Sequence, residues 1–196
     1  AWLLGITGGS PVFPLVVLFG LNAVDELDRT AFGILLPDIQ ASFGLDLQGV
    51  LALVALVLAG ALALQVPIAH LADRHNRVVI TILGAIAWGI FSVLTGLATS
   101  VVMLAIVRAG SGIGKAVVDP THNSLLADYY PVEVRPRVYS VHRAANVVGQ
   151  ILGPLLAGVL AYAFGWRAPF FLFAIPTFVF VALAFRLHEP VRGAQE

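Results

Sequence analysis

Cysteine is absent from this chain of 196 residues, so neither disulfides nor thiolate metal sites are available to it. Charged residues make up only 11% of the sequence, whereas a soluble domain has about 25%. The net charge is zero and there is no run of basic residues, which removes the electrostatic support for nucleic-acid binding. We predict no nucleic-acid partner, no bound metal and no cofactor.

Apolar residues dominate the sequence instead, at 59% of the chain, with a mean hydropathy of +0.94. Surface this apolar would aggregate in water, so the composition favours a protein embedded in the lipid bilayer. Apolar runs of about 20 residues recur between short polar breaks, and each is long enough to span a bilayer. The predicted spans are residues 11–36, 49–69, 78–97, 101–127, 139–164 and 168–187.

Helices are the form expected for these spans, because backbone polar groups in lipid must be hydrogen-bonded within the segment. The fold class predicted is therefore all-α, an integral membrane bundle of six helices. Arginines indicate its orientation, since cytoplasmic loops are enriched in Lys and Arg. The second break, the fourth break and the tail together hold six arginines, and the alternate breaks hold one, Arg167. We expect a multi-pass protein of the cell membrane, with the N-terminus and tail (188–196) cytoplasmic.

The first span carries four charged residues near its middle, within the stretch NAVDELDRTAFG. They are Asp25, Glu26, Asp28 and Arg29. Helical spacing lets Arg29 meet Asp25 at i,i+4 and Glu26 at i,i+3. One arginine cannot neutralise three carboxylates, so this helix needs positive charge from elsewhere.

The fourth span supplies part of that charge, in RAGSGIGKAVVDPTH. Helical spacing predicts that its polar side chains share one face; they are Arg108, Lys115, Asp119 and His122. Arg143 in the fifth span adds another positive charge. Compensation between helices is thus expected, because buried charges are normally paired. His122 and His142 lack companions at metal-ligand spacing and are interpreted as ordinary polar residues.

Two interpretations of these charges stay open at this point. They form ion pairs that only fix helix packing, or they line a polar cavity for an ion or a solute. Ionisable residues at membrane depth cost about 2.5–3.5 kcal/mol on insertion scales, which favours a functional role. In a cavity, a carboxylate could load and release a proton.

Three stretches resemble motifs of the major facilitator superfamily of transporters. The break AHLADRHNR is similar to that family's G-x-L-a-D-r-x-G-R-r motif, and its matching charged residues are Asp73, Arg74 and Arg77. RAGSGIGKA resembles R-x-x-q-G-x-g-a-A through Arg108. GQILGPLLAG resembles the antiporter motif of the fifth helix, through Gly149, Gly153, Pro154 and Gly158.

A closer resemblance is to the Spinster-like branch, which carries Asp-Arg followed by LPDI in the first helix. Here the pair is Asp28–Arg29. That branch often has an acid where this chain has Lys115, and the difference implies an anionic substrate or pairing of Lys115 with the acids of the first helix.

The resemblance implies one half of a twelve-helix transporter, built from two inverted three-helix repeats, that pairs with a second half of the same protein or with another chain. It implies secondary transport of a small or lipid-like, amphipathic solute by alternating access with proton coupling, and no enzymatic activity. Asp28 and Arg29 are then the leading candidates for coupling, Asp73, Arg74 and Arg77 for a cytoplasmic gate, and the fifth-helix glycines for close packing. The alternatives are a drug:proton antiporter and a non-transporting receptor or anchor.

Overall fold

The structure is a computed structural model that describes residues 2–193 and 195, apart from the side chains of Ala72 and Asp73. The regular secondary structure of these residues is entirely helical. Its helices are α1 Trp2–Ile6, α2 Phe13–Ile34, α3 Leu36–Phe43, α4 Leu47–Arg74, α5 Arg77–Gly96, α6 Val101–Ser111, α7 Ile113–Tyr129, α8 Arg135–Phe164 and α9 Ala168–Ala184.

Six helical units form the bundle, namely α2, α4, α5, α6 together with α7, α8 and α9. This confirms the predicted fold class, an all-α bundle of six helices. Four of them are long and apolar enough to cross a membrane: α4, α5, α8, and α6 together with α7. α2 has 22 residues but carries the four charges near its middle, and α9 is an apolar helix of 17 residues. The charges and the shorter length explain why these two differ from the other four.

Local sequence signals account for most helix starts. Proline occupies the first turn of α2, α3, α8 and α9, where a missing N–H removes no helical hydrogen bond. Asp46 and Asn76 cap α4 and α5, each accepting a backbone N–H at 2.8 Å. Ser100 caps α6 by accepting the N–H of Met103 at 3.1 Å.

The fourth span differs from the continuous helix expected over 101–127, because a turn at Gly112 separates α6 from α7. Gly112 also lies where α4 crosses this turn, and a side chain there would collide with Ala61. The glycine is therefore required for close approach, and the break falls beside the polar residues of α7. The first span likewise ends earlier than predicted, at Ile34, and α3 follows as a separate helix.

Packing places α2 at the centre of the bundle. α2 packs on α8 and α9, α5 packs on α9 and α7, and α4 packs on α6 and α7. α4 buries little of its apolar surface, and large side chains such as Leu51, Leu62 and Val66 are exposed along it. Such a surface needs lipid or another protein segment to cover it.

The two ends of the bundle have different contacts. At one end the Tyr130 hydroxyl donates to the Pro11 carbonyl at 2.7 Å, and Arg192 donates to the His75 carbonyl at 2.9 Å. At the other, Trp166 packs on Phe43 with ring centroids 5.9 Å apart. We call these the Arg77 end and the Trp166 end; the arginine-rich breaks lie together at the Arg77 end.

Candidate functional site

A cavity of about 260 Å³ opens between α2, α4 and the α6–α7 break. We call it the central cavity. Its charged lining consists of Asp25, Asp28, Arg29, Arg108 and Lys115. Apolar and small residues make up most of the remaining wall, among them Phe32, Val57, Leu58, Ala61 and Trp88. Asp28 and Arg29, the leading candidates for coupling, thus lie at one cavity with Asp25, Arg108 and Lys115.

Asp28 and Arg108 form a buried ion pair between the first and fourth spans. Arg108 Nη1 lies 2.7 Å from Asp28 Oδ2, and the Ser92 hydroxyl donates to Asp28 Oδ1 at 2.5 Å. Both carboxylate oxygens are therefore occupied. This contact confirms that charge is compensated between helices, and it commits Asp28 to Arg108 rather than to its neighbour Arg29.

Two aromatic rings flank the guanidinium of Arg108. Its central carbon lies 4.5 Å from the ring centroid of Phe32 and 5.4 Å from that of Phe170. Cation–π contact of this kind stabilises a desolvated cation. Sequence reasoning singled out neither these rings nor Ser92, because an aromatic or a serine within an apolar run carries no distinguishing signal.

Arg29 takes a different partner, Glu26, one turn earlier on the same helix. Arg29 Nη2 lies 2.5 Å from Oε1 and 2.7 Å from Oε2 of Glu26. Gln150 on α8 donates to the same carboxylate at 3.1 Å. Glu26 is buried, whereas the side chain of Arg29 is 55% exposed and borders the central cavity. Arg29 therefore presents positive charge to the cavity while its pairing with Glu26 holds it in place.

Asp25 is the buried acid with an unfilled hydrogen-bonding position. Its Oδ2 atom has no hydrogen-bond partner among the described residues. The carboxylate lies directly against Gly114, where any side chain would collide with Asp25 Oδ1. A buried, incompletely satisfied carboxylate beside a cavity is unusual in a purely structural site. The spacing rule allowed an Asp25–Arg29 pair, but the ion pair of Arg29 in the structure is with Glu26.

Lys115 reaches the cavity from α7 with loosely held charge. Its Nζ lies 3.5 Å from Asn146 Oδ1 and 3.6 Å from Asp119 Oδ1, both at the long limit for such contacts. Asp119 is 57% exposed and lies outside the central cavity. Arg143 is exposed on α8 and also lies outside it. The cavity thus holds three cationic and two acidic side chains.

A second charged cluster lies at the Arg77 end. Arg77 is buried and donates to Asp128 Oδ2 at 2.5 Å, to Glu189 Oε1 at 2.7 Å and to the Ser124 hydroxyl at 2.7 Å. Arg74 is exposed, and the side chain of Asp73 lies outside the described residues. The cluster joins α5 to the end of α7 and to the segment after α9.

The glycines of the motif in the fifth span, which is α8, lie in two different environments. A side chain at Gly149 would collide with Glu26 and Ala23 of α2, and one at Gly153 would collide with Thr30 and Leu27. Pro154 lies inside α8 next to Gly153. Gly158, in contrast, has open space beside it. The first two glycines therefore lie where α8 approaches α2, which brings Gln150 to Glu26.

No group of three or more His, Asp or Glu residues within the described part of the chain is arranged to hold a metal ion. The same part of the chain shows an ionic cavity inside a bundle of apolar helices, which is the arrangement of a membrane transport protein. The comparison with known proteins agrees. The chain matches the Major Facilitator Superfamily over residues 18–196 and belongs to that family.

Individual relatives extend this result. The chain is 29% identical over 189 residues to the cis,cis-muconate transport protein of Acinetobacter baylyi. That alignment covers 95% of this chain and 46% of the muconate transport protein. It is 31% identical over 146 residues to the multidrug resistance protein Stp of Mycobacterium tuberculosis (strain CDC 1551 / Oshkosh). That alignment covers 74% of this chain and 27% of Stp. These matches indicate a transporter and not an enzyme.

Among solved structures, a bacterial homolog of the human lysosomal transporter Spinster, in an inward-facing and unoccupied conformation, has a TM-score of 0.81 and 26% identity. The match covers 92% of this chain and 44% of that one. The Spinster-like resemblance is therefore confirmed. The chain spans less than half the length of each of these three proteins and is half of the family's fold.

Proposed function

We propose that this chain forms one half of a secondary transporter that moves a carboxylate-bearing organic solute across the cell membrane by alternating access, together with a proton. The observation that carries the proposal is the charge of the central cavity, where three cations face two acids. Arg108 is fully committed to Asp28, so Arg29 and Lys115 are the groups available to an anionic solute. The apolar wall suits the hydrocarbon part of that solute.

Asp25 is the proton-binding group in this proposal. Asp28 is a leading candidate for coupling on sequence grounds, but it is held by Arg108 and Ser92, whereas Asp25 retains an unpartnered oxygen. Protonation of Asp25 would remove one negative charge from the cavity and so strengthen its attraction for an anion. Since linkage is reciprocal, a bound anion would favour protonation of Asp25 to the same extent. Proton and anion would therefore move in the same direction.

The likeness to the muconate transport protein supports a carboxylate solute, because muconate carries two carboxylates. In the full transporter, a second half would complete the cavity from the exposed side of α4. The arginine-rich breaks at the Arg77 end would face the cytoplasm, and the Arg77 cluster, with Arg74, would form the cytoplasmic gate.

The test is uptake by the complete protein in proteoliposomes. Radiolabelled cis,cis-muconate and benzoate would be offered with the outside more acidic than the inside, and the uptake of each by protein-free liposomes, which benzoic acid enters by diffusion as the neutral acid, would be subtracted. We expect accumulation of at least one of them, and collapse of that accumulation when a protonophore dissipates the gradient. Failure to transport either carboxylate would overturn the solute assignment, and accumulation insensitive to the protonophore would overturn the coupling.

A second candidate is a drug:proton antiporter, favoured by the 31% identity to Stp and by the glycines of α8. Its common substrates would include lipophilic cations, for which Arg29 and Lys115 at the cavity wall are unfavourable neighbours. Ethidium efflux from the same proteoliposomes separates the two. Transport of ethidium without transport of either carboxylate would favour the antiporter.

A further inference from the structure

Lys115 lies where two cavities of the structure meet. One is the central cavity, and the other is an open groove of about 350 Å³ between α4 and α7. We call this second space the Asp119 groove; its wall includes Gln65 and Val66 of α4 and Lys115 and Asp119 of α7. Among the described residues, Lys115 alone lines both spaces. Its side chain can therefore present its charge to either one.

In the structure the ammonium of Lys115 is paired on the groove side. Its Nζ lies 3.6 Å from Asp119 Oδ1, one helical turn further along α7, and 3.5 Å from the neutral Asn146 of α8. Asp25 also lines the central cavity and lies against Gly114, the residue before Lys115. Among the acids that the structure describes, however, it is Asp119 that forms the ion pair. The lysine assigned above to an anionic solute is thus shared with an acid of its own helix.

This ion pair is too weak to hold Lys115 permanently. The side chain of Asp119 is 57% exposed and that of Lys115 is 26% exposed, and a pair so open to solvent changes an equilibrium by about fivefold at most. The flexible stem of a lysine also leaves its ammonium free to turn. A solute carboxylate in the central cavity, with its largely apolar wall, would meet Lys115 with less water between them, and ion pairs strengthen as water is excluded. Such a carboxylate is able to displace Asp119.

We propose that Asp119 competes with the carboxylate of the solute for Lys115 and thereby promotes release of the solute from the central cavity. The proposal rests on the proposed function, because it takes an anionic solute bound at Lys115. When the solute binds, the ammonium turns from the Asp119 groove into the central cavity, and when the solute leaves, it turns back to Asp119. Asp119 is a positioning residue in this scheme, since it acts on the solute only through Lys115.

The exchange keeps Lys115 compensated in both states. A lysine without a counter-charge at membrane depth costs free energy, so a solute that left it unpaired would be released slowly. Asp119 lowers that cost by receiving the ammonium. The same competition reduces the apparent affinity for the solute, because only the fraction of molecules with a free Lys115 is ready to bind. For a pair worth up to about fivefold, the affinity is reduced by about two- to sixfold.

The test measures binding of cis,cis-muconate to the complete protein in detergent by isothermal titration calorimetry. Asp119→Asn keeps the size of the side chain and removes its charge, so Lys115 is left free and the Kd for muconate should fall about two- to sixfold. Damage to the fold would weaken binding instead, which makes a gain in affinity informative. Glu133→Gln is the matched control, because it removes an exposed acid that lines neither space, and its Kd should equal that of the wild-type protein.

A second pair of variants shows whether Asp119 acts through Lys115. Lys115→Gln should weaken binding, and adding Asp119→Asn to it should change the Kd no further, since there is no ammonium left to release. The inference is overturned if Asp119→Asn alone leaves the Kd unchanged or raises it. It is also overturned if Asp119→Asn lowers the Kd equally in both backgrounds, because the acid would then act on the anion at a distance. If the wild-type protein binds no muconate, the proposed solute class itself fails, and this inference fails with it.

Discussion

Asp28 and Arg108, 80 positions apart in the sequence, form a buried ion pair of 2.7 Å that joins the first span to the fourth. The pair lies at the wall of the central cavity, with Ser92 on its other side. It fixes the two helices that carry most of the cavity charge. It also leaves the remaining charges of α2 to other partners.

The first prediction concerns the energy of this pair. Asp28→Asn or Arg108→Gln leaves one buried charge without its partner, which costs about 3–5 kcal/mol. The double variant leaves no unpaired charge and should be more stable than the sum of the two losses implies. Thermal denaturation of the purified protein in detergent measures both effects. Asp38→Asn, an exposed position on α3, is the control and should leave Tm unchanged; additive losses in the double variant would contradict the prediction.

Much of the architecture could be predicted from the sequence, because lipid imposes long apolar helices and charges at membrane depth must be compensated. The ion-pair partners of individual charged residues could not be predicted in this way. Arg29 was within helical reach of both Asp25 and Glu26, and it pairs with Glu26, which Gln150 of α8 also contacts. That outcome depends on how α8 is rotated against α2. On sequence grounds Asp28 and Arg29 rank ahead of Asp25 as candidates for coupling, and the unpartnered oxygen of Asp25 emerges only from three-dimensional packing.

The break at Gly112 was missed for a related reason. RAGSGIGKA contains three glycines, and nothing in it distinguishes Gly112 from Gly110 or Gly114. In the structure each glycine meets a different neighbour: Phe91 at Gly110, Ala61 at Gly112 and Asp25 at Gly114. Only the position of α4 selects the site of the turn.

A second prediction uses the difference between the glycines of α8. Gly149→Ala and Gly153→Ala place a methyl group against α2, where backbone atoms of Ala23 and Leu27 cannot move aside easily. Overpacking of this kind costs about 1–3 kcal/mol. Gly158→Ala is the matched control in the same helix and should not lower Tm, because the space there is open. Equal effects at all three positions would show that α8 does not pack on α2 as described.

A third prediction concerns the Arg77 cluster. The side chain of Arg77 is 3% exposed and pairs with Asp128 and Glu189. Arg77→Gln should therefore lower Tm strongly, by an amount corresponding to about 3–5 kcal/mol. Arg74→Gln, three residues earlier and exposed, tests the same change of charge without burial and should have little effect. Similar Tm values for the two variants would show that the cluster contributes little to stability.

A fourth prediction tests the orientation. Because the chain has no cysteine, single cysteines can be introduced at exposed positions of either end. Glu133→Cys lies at the Arg77 end and Thr99→Cys at the Trp166 end. In intact cells, with any cysteines outside this chain replaced, a membrane-impermeant maleimide should label Thr99→Cys only, and lysed cells should show labelling of both. Labelling of Glu133→Cys from outside would invert the topology.

The last prediction separates Asp25 from Asp28 in the transport cycle. Asp25→Asn imitates the protonated side chain permanently, so cis,cis-muconate uptake should no longer rise as the external pH falls. In the wild-type protein that rise is expected, because a lower external pH loads Asp25 and adds net positive charge to a cavity that binds the anion. Asp28→Asn should reduce uptake at every pH, since it frees Arg108 and disturbs the wall of the cavity. Uptake that still follows the external pH in Asp25→Asn would assign proton binding to another group, and Glu26 would be the next to test because its carboxylate is equally buried.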